Sequence, residues 1–380
     1  MAEVAAAQKP IAGLQGVVVA DSEISYVDGQ VGRLVYRGYS IEDLAANSTF
    51  EETAKLLLDG TLPSRSEMDQ FNAELIRARR LDSEVIGLIR AYPKNAQPMA
   101  VLRTAVSTLG LFDPDTEDIG PEATRRKVIR LVAKFPTIVA AFERHRNGHD
   151  PVSPREDLAH AANFLYMLTG TEPDPEDARV MDVCLILHAE HGMNASTFSA
   201  RVTAATLSDI YSAVTSAVGT LKGALHGGAN QEVMKMLLDI DRRGIEPADF
   251  VRAMLGRKER VMGFGHRVYK TMDPRAPILR GFSRDLTARA GQSKWFTMSE
   301  QIVETMAAEK GIDPNVDFFS GSTYHALGIP TDLFTPIFAI SRISGWATHV
   351  EAQYKHNRLI RPRANYVGPS DLIYTPIEKR

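Results

Sequence analysis

Apolar residues recur every three or four positions along most of the chain, which is the spacing of one face of an α-helix. A clear example lies near the middle of the sequence, at Leu207, Ile210, Tyr211, Val214, Ala217, Val218 and Leu221. Short polar breaks that contain proline, such as FDPDTEDIGPEA, separate the apolar stretches and are typical of loops between helices. The pattern predicts a mainly helical chain without a long linker.

Polar caps and glycines mark where several helices start and end. Three pairs of residues have the spacing of a capping box, namely Ser40 with Asp43, Thr49 with Glu52, and Thr297 with Glu300. Gly60, followed by Pro63, predicts the end of the helix that begins after Thr49. Gly311 predicts the end of the helix that Thr297 opens.

One region near the start of the chain has a β pattern. β-Branched and aromatic residues lie on both sides of the turn signal Asp28-Gly29, which predicts short strands that form a hairpin between Val17 and Tyr36. The fold class predicted from these patterns is therefore all-α, with a short N-terminal β-hairpin.

The composition is that of an ordinary water-soluble protein. The chain has 380 residues, of which 44% are hydrophobic and 24% charged, so it is long enough for a substantial core and for two or more domains. Its 44 basic and 47 acidic residues give a net charge of -3, which leaves no basic field to hold nucleic acid or anionic lipid. No apolar run approaches the ~20 residues of a membrane span, and the N-terminus has no leader pattern. We expect a cytoplasmic protein without nucleic-acid or membrane partners.

A cysteine and two histidines imitate a metal site. Cys184 lies four residues before His188, and His191 follows three residues later, so all three share a helical face. The sequence has neither a CxxC pair nor an HExxH motif, and a lone cysteine in the apolar segment VMDVCLILH is more commonly buried filler. We therefore predict no metal, and keep a metal-dependent hydrolase as an alternative that requires bound zinc. Gly192 and Asn194 predict that the helix ends here and leaves His191 facing a ligand.

Three other segments each place one proton-handling side chain beside glycine: LHGGAN around His226, GFGHRVYK around His266 and PNVDFFSG around Asp317. A carboxylate and two imidazoles suit proton abstraction next to a carbonyl, because the carboxylate takes the proton while the imidazoles stabilise the oxygens that gain charge. A helix predicted to start after Asn230 would lower the pKa of His226 through its dipole, although a histidine that only caps a turn is the simpler reading. The aromatic neighbours of Asp317 would raise its pKa, although an N-cap role explains it equally simply.

Basic residues cluster around His266, at Arg257, Lys258, Arg260, Arg267, Lys270 and Arg275. Gly263 and Gly265 allow a close approach of the backbone to a ligand, but Val268 replaces the third glycine of a dinucleotide-binding fingerprint. The cluster is either a solvated face or the site of a phosphate-bearing cofactor. Arg342 and Arg361 are either surface charges or, with a further arginine, partners for a dicarboxylate.

In their order, the motifs LHAEHGMN, GALHGGANQEV, MGFGHRVYKTMDPR, PNVDFFSG and IRPR resemble the citrate synthase family, and the resemblance runs from YRGYSIEDLA to the C-terminal IRPR. It implies a mostly helical homodimer, with assembly beyond the dimer left open. It also implies a large domain of residues 1–222 and 327–380, and a small mobile domain of residues 223–326 that closes over the substrates.

The resemblance implies a role for each motif residue. Asp317 would abstract a methyl proton of acetyl-CoA, His226 would donate a hydrogen bond to the thioester oxygen, and His266 would protonate the ketone of oxaloacetate. The residues implied to bind oxaloacetate are His191, His226, His266, Arg275, Arg342 and Arg361, the last supplied by the other subunit. The residues implied to meet CoA are Arg260, Val261, Met262, Gly263, Phe264, Gly265 and Lys270. Acetyl-CoA is a cosubstrate in this scheme, and no cofactor is permanently bound.

Related activities share these motifs. 2-Methylcitrate synthase uses the same catalytic residues with propionyl-CoA, and one methylene changes discrimination by only ~1–3 kcal/mol, so the motifs do not separate the two enzymes. ATP-citrate lyase has a similar module, but this chain is too short for its nucleotide-binding part. A non-catalytic CoA-binding regulator is a further alternative, which predicts binding without turnover.

Overall fold

A computed structural model describes residues 10–380 and confirms the mainly helical prediction, with sixteen α-helices in that range and one small sheet. The strands are β1 (Ser25–Asp28), β2 (Arg33–Tyr36) and β3 (Tyr39–Ser40). The helices are α1 (Ile41–Asn47), α2 (Phe50–Asp59), α3 (Arg65–Ala78), α4 (Ser83–Ala91), α5 (Pro98–Phe112), α6 (Pro121–Arg146), α7 (His160–Thr169), α8 (Pro175–His188), α9 (Ala195–Ala204), α10 (Ile210–Leu221), α11 (Ala229–Arg243), α12 (Pro247–Gly256), α13 (Ala276–Arg289), α14 (Lys294–Lys310), α15 (Val316–Ala326) and α16 (Phe334–Lys355).

The predicted hairpin is present, but its first strand starts later than expected. β1 pairs antiparallel with β2, and the short β3 pairs with β2 on its other edge. Residues 17–24 form no strand, because the apolar segment at their start lies on the surface without a partner strand, as the 85% exposure of Val18 illustrates. The Asp28 side chain shapes the turn, since its Oδ1 accepts hydrogen bonds from the amides of Gln30 and Val31.

The predicted caps at the start of α1 and α2 are confirmed. Ser40 Oγ accepts a hydrogen bond from the Asp43 amide, and Thr49 Oγ1 accepts one from the Glu52 amide. Gly60 ends α2 with a φ of +89°, a left-handed conformation that favours glycine.

Two predicted helix starts are wrong by about one turn. Thr297 does not open α14, which starts at Lys294, and its hydroxyl donates to the Ser293 carbonyl from inside the helix. Leu207 lies outside α10, which starts at Ile210 and is capped by Asp209. For α10 a better cap, Asp209, follows Leu207, whereas no side-chain cap marks the start of α14, so spacing alone misplaces both boundaries.

The core centres on α16, which packs against α6, α8, α9 and α10. Trp346, in the middle of this helix, is fully buried. The helices α11 to α15 pack mainly on one another, and they coincide with residues 223–326, the predicted small domain. That division stays a prediction. Within the described range, no helix is both long and apolar enough to cross a membrane.

Candidate active site

His191 lies in the short connection between α8 and α9. α8 ends at His188, and Asn194 caps α9 by accepting hydrogen bonds from the amides of Ser196 and Thr197. The predicted helix end is therefore confirmed. His191 Nε2 lies 3.1 Å from the Tyr269 hydroxyl, and burial lowers the pKa of His191 well below its ordinary value.

His266 lies against His191, with the two ring centroids 5.1 Å apart. Its Nδ1 accepts hydrogen bonds from the backbone amides of Val268, at 3.0 Å, and Tyr269, at 3.2 Å. A nitrogen that accepts from two amides carries no proton, so the neutral ring is protonated on Nε2. Burial, followed by the charge of Arg275, lowers the pKa of His266 to about 4. His266 is thus a neutral hydrogen-bond donor at neutral pH.

His226 has the opposite tautomer for the same kind of reason. Its Nε2 lies 3.3 Å from the amide of Ser196, which can only donate, so the ring proton is on Nδ1. The pKa of His226 is lowered to about 4, as the sequence predicts, but burial is the largest cause and the charge of Arg342 the next. The helix dipole is a poorer explanation, because α11 starts at Ala229 and His226 lies in the turn before it.

Asp317 lies in the first turn of α15. The alternative that it caps this helix is wrong, because Asn315 is the N-cap and its side-chain oxygen accepts the Asp317 amide at 3.0 Å. Burial raises the pKa of Asp317 to about 7, although the charges of Arg275 and Arg342 oppose this shift. A carboxyl group with such a pKa can take up a proton near neutral pH.

Arg275 is almost fully buried and forms a bidentate ion pair with Asp273, with Nε to Oδ1 at 2.9 Å and Nη2 to Oδ2 at 2.7 Å. Burial alone would lower the pKa of Arg275, but the Asp273 carboxylate raises it above its ordinary value. Asp273 also accepts the amide of Val316, which ties Arg275 to the start of α15. Sequence reasoning missed Asp273, although it lies in the motif that contains Arg275.

Arg342 lies on α16 and is also almost fully buried. Its Nε donates to the His188 carbonyl at 2.7 Å, and its guanidinium lies 4.7 Å from the centre of the Phe338 ring. Burial lowers the pKa of Arg342 to about 10, and the nearby Glu190 carboxylate opposes that shift. Among residues 10–380, no hydrogen-bond partner occupies its two terminal nitrogens. These N–H groups can bind an anion.

The glycine loop before His266 is fixed to the start of α15. The Asn315 amide donates to the Gly263 carbonyl, and its side chain donates to the Gly265 carbonyl, both at 2.8 Å. A Cβ at Gly263 would lie 2.9 Å from Phe318 Cβ, so this glycine is needed for packing against the protein and not only for approach to a ligand. Val261 is buried, whereas Arg260 and Lys270 are exposed.

Arg361 is not brought together with the other candidate residues. It lies on an extended, exposed segment after α16, and no hydrogen bond or ion pair joins it to them. Apolar residues of the same segment are exposed as well, including Val367 at 94% and Ile373 at 92%.

The residues of the metal alternative do not form a ligand set. His188 Nδ1 donates to the Cys184 carbonyl at 2.7 Å, and both side chains are fully buried. Burial raises the pKa of the Cys184 thiol. Across residues 10–380, no three His, Cys, Asp or Glu side chains are grouped to hold a metal ion.

Known proteins resemble this chain over almost its whole length. The family model described as "Citrate synthase, C-terminal domain" matches residues 13–363. The chain belongs to the citrate synthase family. It is 53% identical to citrate synthase of Haloferax volcanii over 97% of this chain and 98% of that protein. It is 51% identical to citrate synthase 2 of Bacillus subtilis, over 97% and 98% of the two chains. The crystal structure of citrate synthase from Pyrobaculum aerophilum superimposes with a TM-score of 0.92 at 42% identity, covering 98% of this chain and 97% of that one.

Within this citrate synthase family member, several residues that hold the site together were not found from sequence. They are Ser196, Asp273, Tyr269, Asn315 and Glu190, and each acts through a backbone contact or a buried pair. Ser196 also contributes its hydroxyl, which lies 2.8 Å from His226 Nε2 and accepts the Trp346 indole N–H at 3.0 Å. The asparagine of LHAEHGMNAS was a signal for Ser196, because an N-cap directs the amides that follow it.

Proposed function

We propose that the protein catalyses the condensation of acetyl-CoA with oxaloacetate and water to give citrate and CoA. One observation supports the proposal: two buried arginines act on two neutral histidines, whose tautomers are set by backbone amides, and on a carboxyl group of raised pKa. The charges of Arg275 and Arg342 act on Asp317, that of Arg275 also acts on His266, and that of Arg342 on His226. This combination suits the formation of an enolate and its attack on a ketone.

In the first step, Asp317 removes a proton from the methyl group of acetyl-CoA. The C–H electron pair forms the carbon–carbon double bond of the enolate, and the π pair of the carbonyl moves to the thioester oxygen, which gains negative charge. The Nδ1–H of His226 donates a hydrogen bond to that oxygen. A neutral donor suits this role, since its proton stays on the ring while the enolate forms.

In the second step, the enolate carbon attacks the ketone carbon of oxaloacetate. The ketone oxygen takes a proton from the Nε2–H of His266, which yields citryl-CoA. Water then cleaves the thioester, releasing citrate, CoA and a proton, and the proton that Asp317 took in the first step is returned to His266, so that both groups regain their starting states. Closure of residues 223–326 over the cleft would exclude bulk water until the carbon–carbon bond has formed.

Oxaloacetate carries two carboxylates, and the cleft offers buried cations to match them. Arg275 and Arg342 are held in place by Asp273 and by the His188 carbonyl, so little conformational entropy is lost when they bind an anion. His191 would donate a further hydrogen bond. We propose that Arg361 comes from the second subunit of a homodimer, which suits its exposed position and the apolar residues exposed beside it.

For CoA, we propose that residues 261–265 meet the adenine portion and that Lys270, with Arg260, meets the phosphates. CoA enters and leaves as a substrate, and we propose that no cofactor stays bound. One solved relative supports this assignment, since its description names a ternary complex of carboxymethyl coenzyme A and oxaloacetate with the citrate synthase of Thermoplasma acidophilum. That structure superimposes on this chain with a TM-score of 0.90 at 32% identity. From this reaction, we also propose that the protein acts in the tricarboxylic acid cycle and in the cytoplasm.

A second candidate is 2-methylcitrate synthesis from propionyl-CoA. The observation that favours it is the 44% identity to 2-methylcitrate synthase 1 of Corynebacterium glutamicum over 97% of this chain. Several relatives named citrate synthase are more similar, at 49% to 53%, than that protein or the 2-methylcitrate synthase of Mycobacterium tuberculosis, which is 46% identical. We therefore propose acetyl-CoA as the preferred substrate.

The test is the release of CoA thiol by purified protein with acetyl-CoA or propionyl-CoA at matched concentrations. We expect release only when oxaloacetate is present, and faster with acetyl-CoA. A preference for propionyl-CoA would replace the substrate and keep the mechanism. Binding of acetyl-CoA without turnover would contradict catalysis and favour a regulator.

A further inference from the structure

The small β-sheet contacts the loop of His191 and the loop of His266 at once. We infer that the hairpin of β1 and β2 sets the separation of the His191 and His266 rings, and that Gly29 at its tip is a positioning residue. This inference deepens the proposed function and rests on it for its kinetic consequences. It also makes a structural claim that is testable without activity.

At its base, the hairpin binds the His191 loop through one cross-strand pair, Ser25 and Tyr36. Ser25 Oγ donates to the Glu190 carboxylate at 3.0 Å and accepts the Gly192 amide at 3.1 Å. The Tyr36 hydroxyl donates to the Glu190 carbonyl at 2.7 Å and accepts the Glu190 amide at 3.2 Å. The residues on both sides of His191 are therefore bonded to the sheet.

This end of the hairpin is anchored in the core. Glu190 Oε1 also accepts a hydrogen bond from His349 Nε2 on α16 at 3.0 Å, and both side chains are fully buried. Burial alone would raise the pKa of Glu190, but His349 lowers it, and the net shift is downward. The absence of a side chain at Gly345 leaves room for the Glu190 carboxylate beside α16. Because both groups are buried, separating them would leave each without its partner, and this cost opposes displacement of the His191 loop from α16.

At its tip, the hairpin meets the loop after His266. The Gly29 carbonyl accepts the Lys270 amide at 2.7 Å. A Cβ at Gly29 would overlap the Val268 carbonyl oxygen, and one at Gly32 would lie 2.7 Å from the Met272 carbonyl oxygen. The backbones of tip and loop therefore approach more closely than any side chain allows.

The tip contacts the loop residues whose amides fix the tautomer of His266. Val268 touches Gly29, and the amides of Val268 and Tyr269 fix the His266 tautomer. A displaced tip would shift these amides and with them the ring nitrogen that donates to the ketone. The contact also joins the predicted large domain to the predicted small domain, so it holds His191 and His266 together across the predicted boundary.

Gly29→Ala tests the inference, because Gly29 has no left-handed backbone and only the added methyl group disturbs the contact. We expect kcat/KM for oxaloacetate to fall ~10–100-fold, the effect of roughly a 1 Å displacement of a catalytic group. Hydrogen–deuterium exchange should accelerate in the peptide with the Lys270 amide. The matched control is Gln30→Ala, the exposed next residue, which we expect to match wild type in both measurements.

Ser25→Ala tests the other end of the hairpin. We expect faster exchange at the Gly192 amide, which loses its acceptor, and unchanged exchange at Lys270. Gly29→Ala should give the reverse pattern, so each variant is a control for the other. Thermal unfolding of each variant identifies the folded fraction to which the kinetic constants refer.

Wild-type exchange at Lys270 and wild-type kinetics in Gly29→Ala would overturn the inference. So would a variant that loses thermal stability while its folded fraction keeps the wild-type KM and kcat for oxaloacetate, because the contact would then serve stability alone. If the wild-type protein itself releases no CoA with oxaloacetate, the proposed function fails. The exchange measurements then still decide whether the hairpin holds the two loops.

Discussion

The backbone amide of Ser196 lies 3.3 Å from Nε2 of His226, and this contact decides which ring nitrogen carries the proton. Ser196 lies in the first turn of α9, so its amide has no partner inside the helix and is shared between the cap oxygen of Asn194, at 3.1 Å, and His226. The N-terminus of α9 therefore takes one nitrogen of His226 as a partner, and the other nitrogen is free to donate into the cleft.

His226→Ala tests the donor. We expect kcat to fall ~10²–10³-fold, the usual effect of removing one preorganised donor to a developing oxyanion. Ser196→Ala is the matched control, because it removes the hydroxyl and keeps the amide. Its kcat should stay within about fivefold of wild type, the effect of one ordinary hydrogen bond. Equal losses in the two variants would show that the hydroxyl, and not the amide, controls His226.

The pH dependence of catalysis should follow Asp317. Its pKa is raised to about 7, and a protonated carboxyl group accepts no proton, so kcat/KM for acetyl-CoA should fall as pH drops below about 7. The two histidines have pKa values of about 4 and stay neutral over this range. The measurement is kcat/KM between pH 5 and pH 9, and the residual activity of Asp317→Asn at each pH is the baseline. A value of kcat/KM that stays constant from pH 9 down to pH 5 would assign the proton acceptor elsewhere.

The same raised pKa predicts a gain in stability from a loss of function. Between pH ~4 and pH ~7 the folded protein binds the Asp317 proton more tightly than the unfolded chain does. The contribution of Asp317 to the stability of the protein therefore falls as pH rises through that window. At pH 8 it is ionised at a site that disfavours its charge, and Asp317→Asn should raise the melting temperature there while abolishing turnover. Glu351→Gln is the control, since burial also raises the pKa of Glu351 to about 7 outside the site. It should stabilise similarly and leave the pH profile of activity unchanged.

Removing one partner of the buried Asp273–Arg275 ion pair should destabilise the protein. Asp273→Asn leaves the Arg275 charge buried without its partner, which should reduce the free energy of unfolding by ~3–5 kcal/mol and weaken oxaloacetate binding. Asp285→Asn breaks an exposed pair with Arg284 and should leave the free energy of unfolding almost unchanged. Denaturant unfolding measures both. A double variant, Asp273→Asn with Arg275→Met, should regain stability but not activity, and failure to regain it would mean that Asp273 acts mainly through Val316.

The local setting of a residue could be predicted where it depends on neighbours in the same motif. His191, His266 and Asp317 stand beside glycines or helix ends that expose them, and the structure places His191 and His266 in contact. The caps at Ser40 and Thr49 were predictable for the same reason, since a cap and the amide it satisfies lie three residues apart.

Contacts between remote segments could not be predicted in this way. Ser25 and Glu190 are 165 positions apart, and neither residue type indicates the other. The strand boundary at Ser25 was missed because residues 17–24 have strand-forming side chains but no partner strand, and pairing is a property of the fold. The N-cap of α15 was assigned to Asp317 as an alternative to catalysis, whereas Asn315, two residues earlier, satisfies the amides and leaves the carboxylate free.

The position of Arg361 predicts a site shared between subunits. If each cleft needs the partner's Arg361, then Arg361→Ala and His266→Ala homodimers are both inactive, but a hybrid dimer holds one cleft with a complete set of residues. Random exchange of subunits should then restore about a quarter of wild-type activity, because half of the dimers are hybrids and each has one intact site of two. Co-expression of the two variants with different affinity tags isolates the hybrid for the CoA-release assay. A purified hybrid without activity would place Arg361 outside the partner's cleft, and an active Arg361→Ala homodimer would show that oxaloacetate does not need it. The matched control is a hybrid of His266→Ala with Asp317→Asn. Both of those residues belong to the same chain's cleft, so this hybrid has no intact site and should stay inactive.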